Sequence, residues 1–311
     1  MLQEHEDDCY TLHEYIDLIA KFRKSEPDKE LWYRGQSDSE WKLVPSLWRY
    51  GIADTGENLC ATYATGKRHT TISPNEEYML NLFIDTLRSE KLDCPSSYIH
   101  QMTLAQHYGL PTNLLDWSSD PLVALYFAAS GVAERALNSE DEPMSERFFS
   151  IWILDPQMVN QKSEISTKII DPSNQADHKL LENAMSKQLG YTYCFRGLKE
   201  DRRVVRQSGN FTYSSSIFQA PLDYANIYQN CLKRINFPYS TAEEIVHLLK
   251  VLDLTEESIY FGHSKKDAIA AKVKKSVLSN FNITVPKWLE TQKKLKENRY
   301  RDHNQPPLCT F

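Results

Sequence analysis

The order of strand-like and helix-like segments constrains this chain's fold more than any other feature of the sequence. The segments 31–35, 112–117 and 148–154 are short and rich in aromatic and branched apolar residues, as is typical of β-strands. Helical periodicity occupies 10–24 and recurs in later segments, including the one that begins at Pro121. Because strands and helices do not alternate in regular βαβ units, we predict an α+β fold with a mixed or antiparallel central sheet and flanking helices.

The pattern also divides the 311 residues into four segments. We predict an N-terminal helix in 1–24, a main domain over 25–220, a helical extension over 221–290 packed on the same core, and a polar tail over 291–311.

One helix of the main domain has a recognisable start. Ser73 can cap it and Pro74 suits the first helical position. We expect this helix to end near Arg88 and to bury Tyr78 and Phe83.

Composition and charge argue against several classes of protein. Lys and Arg number 36 against 42 Asp and Glu, a net charge of −6, which is unlike a nucleic-acid coat protein. The six scattered cysteines form no C-x-x-C pair and predict reduced thiols. The acidic start lacks the features of a signal peptide, and no apolar run approaches the roughly 18–20 residues of a membrane span. We therefore predict a cytoplasmic protein without a membrane partner. Zinc-ligand spacing is absent from the sequence, so no metal is expected.

Arg34 is the most informative polar residue, since it lies on an apolar strand between Tyr33 and Gly35. A guanidinium removed from water requires anions or acceptors. It could grip a pyrophosphate or carboxylate, with Gly35 allowing the ligand to approach closely. Alternatively, it forms a buried ion pair with Asp116.

A second group of polar residues lies at the end of a helix predicted from Ser96 to Tyr108 and in the extended segment that follows it. His107 could act as a general base or bind a ribose hydroxyl, or it could simply cap the helix end. Asp116 could be a catalytic or binding acid, or it could orient Arg34. Trp117 could stack on a nicotinamide or a base, or it could pack in the core.

The next helix starts at Asp120-Pro121. Its free N–H groups, together with Ser118 and Ser119, would make a pocket that suits an anion. Tyr126, farther along the helix, fits core packing as well as a ligand contact. Gln207 and its neighbour Arg206 are candidate ligand contacts beside a glycine kink.

Several of these segments, in order, resemble the FRG domain family. Residues 32–36 (WYRGQ) and 41–49 (WKLVPSLWR) resemble its opening motif and the block that follows. Residues 104–128 (LAQHYGLPTNLLDWSSDPLVALYFA) resemble its central signature almost throughout. Residues 151–156 and 206–212 match later blocks. The resemblance implies a common fold region with one polar cleft.

The order of the blocks is more distantly similar to the ADP-ribosyltransferase architecture, which implies NAD as the substrate. In that architecture an early strand carries Arg or His, a Ser/Thr strand leads into a small-residue helix, and a late strand brings a Glu. Gly209 stands where that Glu is expected. This resemblance assigns catalysis to Arg34, His107, Asp116 and Gln207, and NAD contacts to Tyr33, Gly35, Gln106, Trp117, Ser118, Ser119 and Tyr126.

Three functional hypotheses follow. The first is an NAD-dependent effector or toxin of the FRG family that transfers ADP-ribose or cleaves NAD, in antiviral or toxin–antitoxin defence, with an unidentified macromolecular acceptor. The second is a non-catalytic module that recognises a nucleotide or another anion, which the glycine at position 209 favours. The third is an RNA-processing enzyme, for which the acidic charge balance gives no support.

Overall fold

A seven-stranded mixed sheet forms the centre of the molecule, which confirms the predicted α+β fold. The structure, a computed structural model, describes residues 7–51, 75–136, 147–187, 190–197, 207–214, 222–223, 225–259, 264–279 and 282–283. The strands of the sheet are β1 (Asp7–Asp8), β2 (Trp32–Gln36), β4 (Leu114–Ser118), β5 (Phe148–Leu154), β6 (Thr192–Arg196), β7 (Gly209–Ser214) and β8 (Leu232–Pro238). Their spatial order is β1-β8-β5-β2-β4-β7-β6, and β3 (Tyr50–Gly51) pairs separately with β9 (Asn282–Ile283).

Nine α-helices lie within the described ranges and flank the sheet. They are α1 (Leu12–Ser25), α2 (Glu76–Ser89), α3 (Tyr98–His107), α4 (Pro121–Ala136), α5 (Pro156–Lys162), α6 (Gln175–Lys187), α7 (Ala242–Val251), α8 (Glu256–Ile259) and α9 (Lys265–Leu278). None of these helices combines the length with the apolar character that crossing a bilayer would require. The segment 221–290 supplies β8 as well as helices, and the predicted tail lies outside the described residues.

The helix predicted to start at Ser73 begins later than expected. Asn75 is the N-cap, since its side chain accepts a hydrogen bond from the amide of Tyr78; Ser73 and Pro74 lie outside the described residues. Phe83 is buried as predicted, but Tyr78 is 60% exposed, which contradicts the prediction. The burial error arises because α2 packs against α3 and α9 through the stripe that includes Met79, Phe83 and Leu87.

The sheet is almost divided at its centre. β2 pairs with β5 along five residues, and β4 pairs with β7 along five. Between β2 and β4, however, one residue pair is formed, Tyr33 with Ser118. Beyond that pair the β2–β4 ladder is interrupted, and this gap in the ladder lies beside Arg34, the next residue of β2.

Helix α4 covers one face of the sheet, and Gly35 is the residue that lets it come close. A Cβ at position 35 would overlap the carbonyl oxygen of Ala124 and lie 2.8 Å from the Ala128 nitrogen. The interpretation that Gly35 makes room for a ligand is therefore wrong, because the helix fills that space. Tyr33 points to the same face and is buried beside Ala124 and Ala128 in a core shared by α1, α4 and α7.

The opposite face is lined by tryptophans. Trp32, Trp117 and Trp152 pack there with Leu115, beneath α5 and a short 3-10 helix at Asn226–Cys231. Because side chains alternate along a strand, Arg34 starts from this face, between Trp32 and Gln36.

Candidate functional site

Arg34 has donors that the surrounding protein does not use. Its Nη1 donates to the main-chain oxygen of Asp116 at 2.7 Å, and the same nitrogen lies 3.9 Å from Asp116 Oδ2. Its Nε is buried and has no hydrogen-bond partner in the described part of the chain. Burial lowers the pKa of this guanidinium, while the charge of Asp116 opposes that shift. The group is thus mostly buried, with 17% of its side chain exposed, and it is incompletely satisfied.

The guanidinium lies in the gap between β2 and β4. Asp116 alternates with Leu115 and Trp117, so its carboxylate points away from the tryptophan face on which Arg34 begins. Arg34 nevertheless contacts the Asp116 carbonyl, which belongs to the main chain of β4. At this interruption of the ladder, the Asp116 carbonyl accepts from the Arg34 side chain.

Asp116 is the accessible partner in this pair. Its side chain is 55% exposed, and its Oδ2 accepts a hydrogen bond of 2.7 Å from Gln106 Nε2. Gln106 Oε1 in turn accepts the hydroxyl of Thr112 at 2.6 Å. Three of the residues singled out in the sequence, Arg34, Gln106 and Asp116, therefore converge. Thr112 was not among the candidates, although it belongs to the same 25-residue signature.

Three other candidates lie in the core. Trp117 is 2% exposed, and its indole nitrogen donates to Thr212 Oγ1 at 3.0 Å. Tyr126 and Tyr33 are buried in the core beneath α1 and α7. For all three, the geometry corresponds to packing against other side chains. A buried indole with a satisfied N–H has no need of a further polar partner.

His107 is the last residue of α3 and is half-buried. Its ring packs edge-on against Tyr108, with 4.9 Å between ring centroids. It follows Gln106 in the chain, so it flanks the network around Asp116.

Ser118 and Ser119 form hydrogen bonds that connect the end of β4 to the turn before β7. Ser118 Oγ donates to the carbonyl of Gln207 at 2.7 Å, and the amide of Ser119 donates to the carbonyl of Ser208 at 3.0 Å. Gln207 takes part through its main chain in these contacts, and Arg206 lies outside the described residues.

The start of α4 does not offer the anion pocket that the sequence suggested. Asp120 Oδ1 accepts from the amides of Leu122 at 2.8 Å and Val123 at 3.4 Å. Pro121 has no N–H, so a protein carboxylate already occupies the donors that an anion would need.

A polar cavity of about 280 Å³ adjoins Ser119. Its walls include Arg23, Lys29, Glu30 and Leu31. The Glu30 carboxylate accepts two hydrogen bonds from Arg196, of 2.7 and 2.8 Å. Leu31 and Arg34 are three residues apart, and so are Ser119 and Asp116. The cavity therefore lies roughly 10 Å along the strands from the Arg34–Asp116 pair.

The buried carboxyl of Glu76 lies beside this network and was not among the candidates identified from the sequence. Glu76 accepts two hydrogen bonds from Asn113, one from the main-chain amide at 2.7 Å and one from the side chain at 2.6 Å. Asn113 is fixed further by Trp48, whose indole donates to its Oδ1 at 2.7 Å. Burial raises the pKa of Glu76 to about 7, against the two Asn113 donors, which lower it.

We expect Glu76 to make stability depend on pH. Its carboxyl pKa is higher when folded than the ordinary 4.5, so the folded chain binds more protons between about pH 4.5 and 7. The contribution of the Glu76 carboxyl to the free energy of unfolding is complete below pH 4.5 and is lost as the pH rises through about 7. This contribution totals about 3 kcal/mol. Urea unfolding from pH 4.5 to 8 should show this fall, and Glu76→Gln should abolish it. Exposed Glu77→Gln is the control; an unchanged slope in Glu76→Gln would contradict the assignment.

Comparison with known proteins places one family on this region. The family model of the FRG domain matches residues 29–136, which include β2, β4 and the whole Arg34–Asp116–Gln106 network. No curated protein and no solved structure matched the chain. Within the described residues, no group of three or more His, Cys, Asp or Glu side chains could hold a metal ion.

Proposed function

Because this chain carries an FRG domain whose polar residues converge at a gap in the sheet, we propose that it binds NAD there and cleaves it or transfers its ADP-ribose. The observation that carries the proposal is Arg34. A mostly buried guanidinium with an unused donor suits an anionic group such as a pyrophosphate, which accepts charge-assisted hydrogen bonds.

The dimensions of the site favour an extended ligand. The Arg34–Asp116 pair and the cavity at Ser119 are separated by roughly 10 Å along two antiparallel strands. A dinucleotide has its pyrophosphate in the middle and a flat ring at one end. In the proposed arrangement, Arg34 binds the pyrophosphate and the nicotinamide end extends toward Ser119.

Asp116 supplies the charge that the reaction needs. When the bond between the ribose C1′ and the nicotinamide nitrogen breaks, both electrons leave with the nicotinamide, and positive charge develops on the ribose. A placed carboxylate stabilises that charge. Glycine occupies position 209, so the turn before β7 offers no glutamate there. Asp116, more than half exposed and held by Gln106, is the carboxylate available beside Arg34.

The direct experiment is to titrate the purified full chain with NAD by calorimetry and to measure nicotinamide release by chromatography. We expect saturable binding and slow release, accelerated when a cell lysate or nucleic acid supplies the acceptor. Binding without release under any of these conditions would support the second hypothesis, a nucleotide-recognising module. If neither occurs, the NAD proposal is wrong.

A further inference from the structure

Thr112 sits at the start of a directed chain of hydrogen bonds that ends at Asp116. It is 2% exposed, and its hydroxyl oxygen accepts the amide of Leu114 at 3.1 Å. The hydroxyl carries a single proton, which it donates to Gln106 Oε1 at 2.6 Å. Both ends of this buried hydroxyl are therefore used.

The Thr112 proton determines how the Gln106 amide is oriented. With its oxygen on Thr112, the amide directs its nitrogen at Asp116 Oδ2, 2.7 Å away. In the reversed orientation the amide oxygen would face the carboxylate, so Asp116 would have to be protonated. The proton of Thr112 would then lose its acceptor inside the protein, which is costly. The observed arrangement thus matches an ionised Asp116.

We propose that Thr112 is a positioning residue that, through Gln106, holds Asp116 as an ionised acceptor beside Arg34. One carboxylate oxygen is fixed by Gln106, and the side chain is 55% exposed, which leaves Oδ1 for the ligand. Only the effect on turnover rests on the proposed function. The hydrogen-bond arrangement itself can be tested without any ligand.

The first test uses nuclear magnetic resonance on the full chain without NAD. In the native protein, the two Nε2 protons of Gln106 should give well-separated signals, because one is bonded to a carboxylate. Thr112→Val removes the hydroxyl at nearly constant volume, and we expect that separation to collapse. Thr112→Ser should restore it. Thr103→Val is the matched control, since Thr103 is buried and donates only to the carbonyl of His100.

The second test separates binding from turnover. We expect Thr112→Val to slow nicotinamide release about tenfold, with NAD affinity nearly unchanged and with recovery in Thr112→Ser. If Thr112→Val does not fold, Thr112→Ala serves the same purpose. Gln106 signals that stay at their native positions in these variants would overturn the positioning role. If those signals respond as expected but the native protein neither binds nor cleaves NAD, the positioning role stands and the proposed function fails.

Discussion

Arg34→Ala is expected to weaken NAD binding and nicotinamide release together by about 100-fold, the scale found when one preorganised donor is removed from a charged site. The physical reason is that the Arg34 guanidinium, whose side chain is 17% exposed, supplies the positive charge that a pyrophosphate would bind. Calorimetry and chromatographic detection of nicotinamide measure both quantities on one sample.

Two variants make this result specific. Arg34→Lys keeps the positive charge but loses the planar fork, so we expect it to recover only a small part of the binding. Arg88→Ala removes a guanidinium from an exposed pair with Asp85 on α2 and should change neither quantity. Retained NAD affinity in Arg34→Ala, in a protein with the native melting temperature, would restrict Arg34 to holding β4 by its carbonyl.

The second large effect is on stability. Gly35→Ala should lower the free energy of unfolding by about 3 kcal/mol, since the added Cβ meets the main chain of α4 at Ala124 and Ala128. A main chain held in a helix cannot move aside as a flexible side chain would. Urea unfolding monitored by tryptophan fluorescence measures the change.

Gly190 provides the matched control. It has a φ of +76° and open space where a Cβ would be, so Gly190→Ala carries only the cost of the left-handed conformation, about 1 kcal/mol. Should Gly35→Ala lose no more than Gly190→Ala, the close packing of α4 on β2 would not be a constraint on the fold.

The fold class and the partnership of Arg34 with Asp116 were accessible to sequence reasoning because they depend on local patterns and on charge. The alternation of side chains along a strand gives further information about the candidate residues. Asp116 and Trp117 are adjacent in β4, so they point to opposite faces and cannot both line one cleft from the same side. The same holds for Tyr33 and Arg34. Because side chains alternate between the two faces of a strand, this rule separates the core residues Tyr33 and Trp117 from their polar neighbours.

Other features depend on contacts that sequence patterns do not reveal. The need for glycine at position 35 comes from a helix about ninety residues later in the chain. The two hydrogen bonds that Glu76 accepts come from Asn113, which no helical or strand periodicity connects to it. The start of α4 at Asp120-Pro121 could be predicted, but not that the Asp120 carboxylate would accept from the N–H groups that were assigned to a ligand.

The single residue pair between β2 and β4 has a mechanical consequence. Each half of the sheet has full ladders within it, whereas the ladder between the halves has one residue pair. The hydrogen bond from Arg34 to the Asp116 carbonyl, the tryptophan face and α4 also connect the halves. Helix α4 contacts β2, β4 and β5 and so spans this junction, with Gly35 as a point of close approach. We therefore expect that displacing this helix would shift β2 relative to β4 and, with it, the contact of Arg34 with Asp116.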